Sequence, residues 1–254
     1  MGLIDTHCHI DIKRHFPDFE AVLEEACRAG VSDMVLAGVH RTGWHRLLEL
    51  SIQRRYLHAA PGLHPIYMKY HHSDDLKELS RITEKGGVVA VGEIGLDYQV
   101  DVDRAIQQQL FEAQLDIASK ASLPVLLHVR KAHDQALATL RRKRFSGGGI
   151  VHAFNGSLQQ AEHYIGLGFM ISVCGTITYE RSRKIRRVAS ELPLSSLVLE
   201  TDSPDIPPAQ HYGERNSPAY LPEVLGALAR LRAEDVEEVA TLTTANARKI
   251  LILP

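Results

Sequence analysis

Asp5, His7 and His9 alternate along LIDTHCHI, the first apolar run of the chain. On a β-strand, where successive side chains point to opposite faces, these three groups share one row while Thr6 and Cys8 lie behind them. A carboxylate and two imidazoles in a row can hold a divalent metal. They can equally be core polar groups satisfied by hydrogen bonds, since buried imidazoles require partners. Further along, His64 stands in GLHP, Glu93 in GEIGLD, His128 in PVLLHVR, His152 in GIVHAF and Asp202 in LETDSP, each toward the end of an apolar run. Taken singly, each has a structural explanation: His64 as a turn residue before Pro65, Glu93 as a turn carboxylate, Asp202 as a helix cap, His128 and His152 as hydrogen-bonded core residues. Their recurrence at equivalent positions points instead to one site. Five imidazoles and two carboxylates brought together are costly to bury without a cation. Nitrogen and oxygen donors without thiolate suit zinc, manganese or magnesium. Two such ions bridged by a carboxylate such as Glu93 favour hydrolysis.

The elements that must position these groups follow one rhythm. Apolar runs at 3–10, 33–40, 57–65, 88–97, 124–130, 149–154, 169–175 and 197–204 alternate with helical periodicity, clearest at 19–30, 104–121 and 132–144. Helices at 219–231 and 234–251 close the chain. Eight strand–helix units predict an α/β fold, a single (β/α)8 TIM barrel spanning residues 1–254, with an open doubly wound sheet as the alternative. Barrel active sites form at the carboxyl ends of the strands, where the polar residues cluster. Within the strands, Leu126, His128 and Arg130 share a face, as do Val198, Glu200 and Asp202, so each strand turns from apolar to polar toward its end.

Composition sets outer bounds. With 254 residues, 44% hydrophobic and 24% charged, the chain can bury a sizeable core, and nothing marks a disordered tail. A net charge of -2 argues against a strongly basic nucleic-acid-coating surface but leaves room for a local basic rim. Cys8, Cys27 and Cys174 form no CxxC pair and fit a reducing compartment. A strand starting at Gly2 leaves no room for a signal peptide, and no apolar run reaches membrane-spanning length, so a cytoplasmic protein is expected.

DTHCHI, GLHP, GEIGLD, PVLLHVR, VHAFNGS and LETDSP, in this order, resemble the signatures of the TatD family of metal-dependent hydrolases in the amidohydrolase-like barrel superfamily. NSPAYLPEVL and the closing NARKIL extend the likeness over nearly the whole chain. The resemblance implies a (β/α)8 barrel with two divalent metal ions, Mg, Mn or Zn, and activity as a 3'-5' exodeoxyribonuclease or related phosphodiesterase. It places His7 and His9 on one ion, Glu93 at the bridge, His128 and His152 on the other, and Asp202 as a ligand that also serves as general base. It makes His64 the group that holds substrate phosphate. Glu200, one step deeper on the face of Asp202, is expected to support the ligands, and Asp5 to orient an imidazole. Two departures remove negative charge near the mouth: Asn216-Ser217-Pro218 where the family often has Asn-Glu-Pro, and Lys131 where it often has an acidic residue.

The remaining residues bear on the substrate. Arg130 beside His128 offers a rigid fork that matches phosphate oxygens. YERSRKIRR at 179–187 brings basic side chains near the catalytic face, whereas RRKR at 141–144 falls on the opposite rim. Tyr67, Tyr70 and Trp44 are candidates for base stacking, with core packing equally open. The expected partner is a nucleic acid, DNA or RNA, acted on by a monomer with no membrane. Hydrolysis of a C–N or ester bond in a small molecule, and a non-catalytic metal-binding protein, are the competing functions. Glu93, where several relatives of the first kind have a carbamylated lysine, weighs against the one, and the complete ligand set weighs against the other.

Overall fold

A computed structural model describes residues 2–253. Strand and helix alternate from the start: β1 (Leu3–Cys8), α1 (Phe19–Arg28), β2 (Val31–Ala37), α2 (Arg41–Gln53), β3 (Leu57–Ala60), α3 (Ser73–Lys85), β4 (Val91–Asp97) and α4 (Arg104–Ala121). The second half repeats this with β5 (Val125–Arg130), α5 (His133–Arg142), β6 (Gly149–Val151), α6 (Leu158–Gly166), β7 (Phe169–Val173), α7 (Arg183–Glu191), β8 (Leu197–Leu199), α8 (Leu221–Arg232) and α9 (Val236–Leu251). Local chemistry sets several boundaries. In α1 the buried Phe19, Val22, Leu23 and Ala26 recur at helical spacing, and Gly30 at φ 89° follows its end. Asp103 caps α4 by accepting from the Ala105 and Ile106 amides, and Ser157 with Gln160 forms a reciprocal cap on α6.

All strand pairs are parallel, β1-β2-β3 in one segment and β4 to β8 in the other. Main-chain bonds join the segments at both seams. Val89 N donates to Ala59 O at 2.9 Å and Gly92 N to Pro61 O at 3.1 Å; across the other seam, Asp202 N donates to His7 O at 2.9 Å and His9 N to Ser203 O at 2.8 Å. The predicted barrel is therefore present, with short strands whose polar ends meet at one mouth. Its lumen is packed by Ile4, Val35, Ala37, Ala60, Leu126 and Ile150, and the larger apolar layer lies between strands and helices.

Two expectations about local geometry need correction. The strands stop earlier than the apolar runs: β3 ends at Ala60 and β8 at Leu199, so His64, Glu200 and Asp202 stand on the loops that follow, Asp202 with φ 59°. The row proposed along β1 is also interrupted. Its register against β2 shifts between Leu3 and Ile4 and again between Asp5 and Cys8, so Ile4 joins the lumen and strict alternation is lost.

Candidate metal centre

Glu93 lies at the centre of the mouth, almost fully buried, and its two oxygens face different partners. Oε2 is 3.1 Å from His7 Nε2 and 3.6 Å from His9 Nε2. Oε1 is 2.8 Å from His128 Nδ1 and 3.0 Å from Nε2 of both His152 and His64. Asp202 Oδ1 completes the first group, 3.6 Å from His9 Nε2 and 3.8 Å from His7 Nε2. Burial alone would raise the Glu93 pKa, but the surrounding histidines, His64, His152 and His7 foremost, hold it well below the usual carboxylate range. Asp202 is likewise lowered against its burial, by His152 and His9. Burial opposes charge on His9 as well, yet the Asp202 hydrogen bond and the Glu93 charge push it up to about 9.

The outward-facing ring nitrogens sort the histidines by tautomer. His9 Nδ1 lies 2.9 Å from the carbonyl of Ala37, which can only accept, so Nδ1 carries a proton, and in the neutral ring, the form that an ion requires, Nε2 presents a lone pair. His128 Nε2 lies 3.2 Å from Asp97 Oδ2, which in the neutral ring leaves the lone pair on Nδ1, and His152 Nδ1 faces Glu200 Oε1 at 3.4 Å without a hydrogen bond. His64 is the reverse. Its Nδ1 accepts from the Ile66 amide at 3.0 Å, so in the neutral ring Nε2 is a donor, and burial pushes its pKa down to about 4.

The consequence is two pairs of converging ring nitrogens. His7 Nε2 and His9 Nε2 are 3.3 Å apart beside Oε2, and His128 Nδ1 and His152 Nε2 are 3.4 Å apart beside Oε1. Ring nitrogens that close require either a shared proton or a cation between them, and His7 Nδ1 finds no hydrogen-bond partner on its other side among the described residues. Two positions for a divalent ion, one on each side of Glu93, fit this donor set. Three groupings have the spacing to hold an ion: His7, His9 and Asp202; His7, Glu93 and His152; and His64, Glu93 and His128. The tautomer of His64 speaks against it as a ligand.

The supporting residues differ from expectation in two places. Asp5 does not touch an imidazole. Its Oδ1 accepts from the main-chain amides of His7 and Thr201, at 3.2 and 2.9 Å, and Oδ2 from the Thr201 hydroxyl at 2.6 Å, so it ties β1 to the segment after β8. Asp97 is the carboxylate that does orient an imidazole, and it was not anticipated; the only sequence signal is that it ends GEIGLD. Register places it, since Asp97 pairs with Arg130 across β4 and β5 and Gly95 with His128. Glu200 faces His152 and accepts from the Ala153 amide at 2.6 Å. Asn216 is buried and donates to the Thr201 and Asp205 carbonyls at 2.7 and 2.6 Å, bracing the loop that carries Asp202.

The mouth opens into a cavity of about 1190 Å³ whose walls include His64, Tyr67, Arg130 and Lys184. Part of YERSRKIRR is spent elsewhere: Arg186 donates to Ile177 O at 2.6 Å and Arg187 pairs with Glu191 at 2.7 Å, and of its basic side chains Lys184 alone lines the cavity. In RRKR, Arg142 pairs with Glu112 at 2.7 Å. Trp44 is buried in α2 with Nε1 donating to Gly62 O at 3.1 Å, which removes it from the stacking candidates. Among the described residues no helix is long and apolar enough to cross a membrane.

Residues 4–251 match the TatD related DNase family. The metal-dependent hydrolase YjjV of Escherichia coli K12 is 41% identical over 254 residues, covering 99% of this chain and 98% of YjjV. The crystal structure of that TatD homologue superposes with a TM-score of 0.95 over 99% of this chain and 98% of its own. The 3'-5' ssDNA/RNA exonuclease TatD of Erwinia amylovora is 33% identical, covering 98% of this chain and 99% of that protein.

Proposed function

Because the chain belongs to the family of TatD-related DNases, we propose that this metal-dependent hydrolase cleaves phosphodiester bonds at nucleic-acid ends, releasing nucleotides in the 3'-to-5' direction. The observation that carries the reading is Glu93, flanked on each oxygen by a pair of imidazoles whose ring nitrogens converge, at the floor of a cavity lined by cationic side chains. The Erwinia relative's name, an exonuclease on single-stranded DNA and RNA, points the same way.

His7, His9 and Asp202 would hold one ion and His128 with His152 the other, with Glu93 shared. Divalent ions so held supply Lewis acidity at the phosphate oxygens and make a nearby water more acidic. The protein's own groups supply the remainder. Asp202, ionised and beside His9, would accept the proton of the water oxygen that attacks phosphorus as the P–O bond to the neighbouring sugar breaks, and the departing sugar oxygen takes a proton from solvent to leave as a hydroxyl. His64, neutral, directs its Nε2 proton at Glu93 Oε1, 3.0 Å away, and would turn it to a phosphate oxygen once Glu93 holds the ions, and the guanidinium of Arg130 offers two parallel donors. Asp97 and Glu200 fix the rings of His128 and His152 so that no reorientation is required during turnover.

Digestion of 3'-labelled and 5'-labelled oligonucleotides with Mg and with Mn, beside a panel of amide and ester substrates, tests this. Stepwise release of mononucleotides from the 3' end is expected. Turnover confined to the amides or esters would replace the nuclease reading with small-molecule hydrolysis.

A further inference from the structure

Away from the ion-holding groups the cavity has two unlike walls. The end of β5 contributes Arg130 and the loops and helix starts after β4, β5 and β7 contribute Arg104, Lys131 and Lys184, while those after β1 and β3 contribute Ile12, Ile66 and Tyr67. Since the strands run in order around the barrel, the cations gather along one arc of the rim and the apolar side chains along another, with the Glu93 cluster between them.

The cationic arc carries a surplus. None of its four side chains enters an ion pair among the described residues; of the carboxylates in the same cavity, Asp97 lies 3.2 Å from His128 Nε2 and accepts from the Gln99 amide at 2.8 Å, and Asp134 accepts from Gln160 at 2.8 Å. Two of the cations are held in place by other means. The Arg104 guanidinium lies over the Tyr98 ring at 4.4 Å, and Lys184 Nζ donates to Asn155 O at 2.8 Å. Lys131 has φ 56°, a left-handed conformation uncommon outside glycine, and its exposed side chain makes no hydrogen bond or ion pair among the described residues. Four cations on one wall, none of them ion-paired among the described residues, match more anion than a single scissile phosphate brings.

We propose that Arg104, Lys131 and Lys184, next to Arg130 at the scissile phosphate, form a subsite for the phosphate adjacent to it, so that the preferred substrate is a strand end with at least two consecutive phosphodiesters. The inference rests on the nuclease reading above. The terminal nucleoside then lies toward Ile66 and Tyr67, and the rest of the strand leaves over the cationic arc, where each ammonium or guanidinium neutralises backbone charge without reading sequence.

The test compares kcat/KM on a dinucleoside monophosphate, with one phosphodiester, and a trinucleoside diphosphate, with two, for the wild type, Lys131→Glu and the Lys131→Glu/Lys184→Gln double variant. Alongside it, fluorescence anisotropy in EDTA follows binding of a labelled trinucleotide across a salt series. The wild type is expected to favour the longer substrate at least tenfold, and the double variant to lose most of that preference. The slope of log affinity against log salt is expected to flatten by about 0.7 for each lost contact. A neutral methylphosphonate at the neighbouring position should lower the wild type to the level of the variant and the variant no further. Equal rates on both substrates by the wild type, or equal losses on both in the variants, overturn the subsite. Cleavage of neither substrate under any metal, with amides or esters cleaved instead, overturns the nuclease reading and the subsite with it. Lys184→Ala alone provides a second variant, since the Lys184 ammonium makes a single main-chain bond.

Discussion

Glu93 and His128 meet at 2.8 Å, Oε1 to Nδ1, while the second oxygen of the same carboxylate lies 3.1 Å from His7 on the other side of the mouth. One side chain thus serves two clusters that would otherwise be independent. Replacing Glu93 by Gln keeps the shape but removes the charge and turns one acceptor into a donor, so both clusters should lose their hold. Elemental analysis of the purified protein is expected to find about two divalent ions per chain in the wild type, one after joint replacement of His7 and His9 by Ala, and less than one in Glu93→Gln. A Glu93→Gln protein that retained two would show that the carboxylate does not bridge.

Asp202 is the group whose loss should separate turnover from binding. It is buried, ionised and supported by His9 at 3.6 Å, with its loop braced by Asn216 rather than by its own side chain. Asp202→Asn should therefore fold normally by circular dichroism while its rate on a 3'-labelled oligonucleotide falls by roughly 10²- to 10⁴-fold, the range of a lost general base. A rate within tenfold of wild type would move the base elsewhere.

How far the sequence discloses such a site depends on what kind of spacing creates it. His7, His9, Glu93, His128, His152 and Asp202 are legible because each ends an apolar run, and a parallel barrel gathers those ends whatever the details of packing. Asp97 is not legible in the same way: its carboxylate finds His128 through the register of β4 on β5, a quantity no single stretch encodes. Asp5 is misjudged for a related reason, since alternation places it with His7 and the register shifts in β1 direct it to main-chain amides instead. Trp44 and the basic run at 179–187 show that residue type alone does not give orientation; the tryptophan is turned inward to Gly62, and Arg186 and Arg187 are consumed by local partners.

His64 discriminates between holding an ion and holding substrate. Its Nδ1 is occupied by the Ile66 amide and its pKa is pushed down to about 4, so near neutral pH it is an uncharged donor through Nε2. His64→Ala should raise KM for an oligonucleotide roughly tenfold, as expected for one lost charge-assisted hydrogen bond, with metal content unchanged. Loss of an ion from this variant would make His64 a ligand.

Asp5 gives the fold a pH dependence of definite sign. Burial pushes its carboxyl up to about 7 against the hydrogen bonds from Thr201 and His7, whereas in the unfolded chain it titrates near 3.8. The folded state therefore holds a proton that the unfolded state releases between these values, and the stability present below 3.8 is lost as pH rises toward 7. The slope is at most about 1.4 kcal/mol per pH unit. Asp5→Asn mimics the protonated side chain, with its carbonyl accepting from the two amides and its NH2 reaching the Thr201 hydroxyl, but it does not titrate. Urea unfolding of metal-free wild type and Asp5→Asn at pH values from 4 to 8 should show wild-type stability falling relative to the variant up to about 7 and then levelling. Parallel curves across that range would mean that the Asp5 carboxyl stays ionised in the folded protein, stabilised by its three donors.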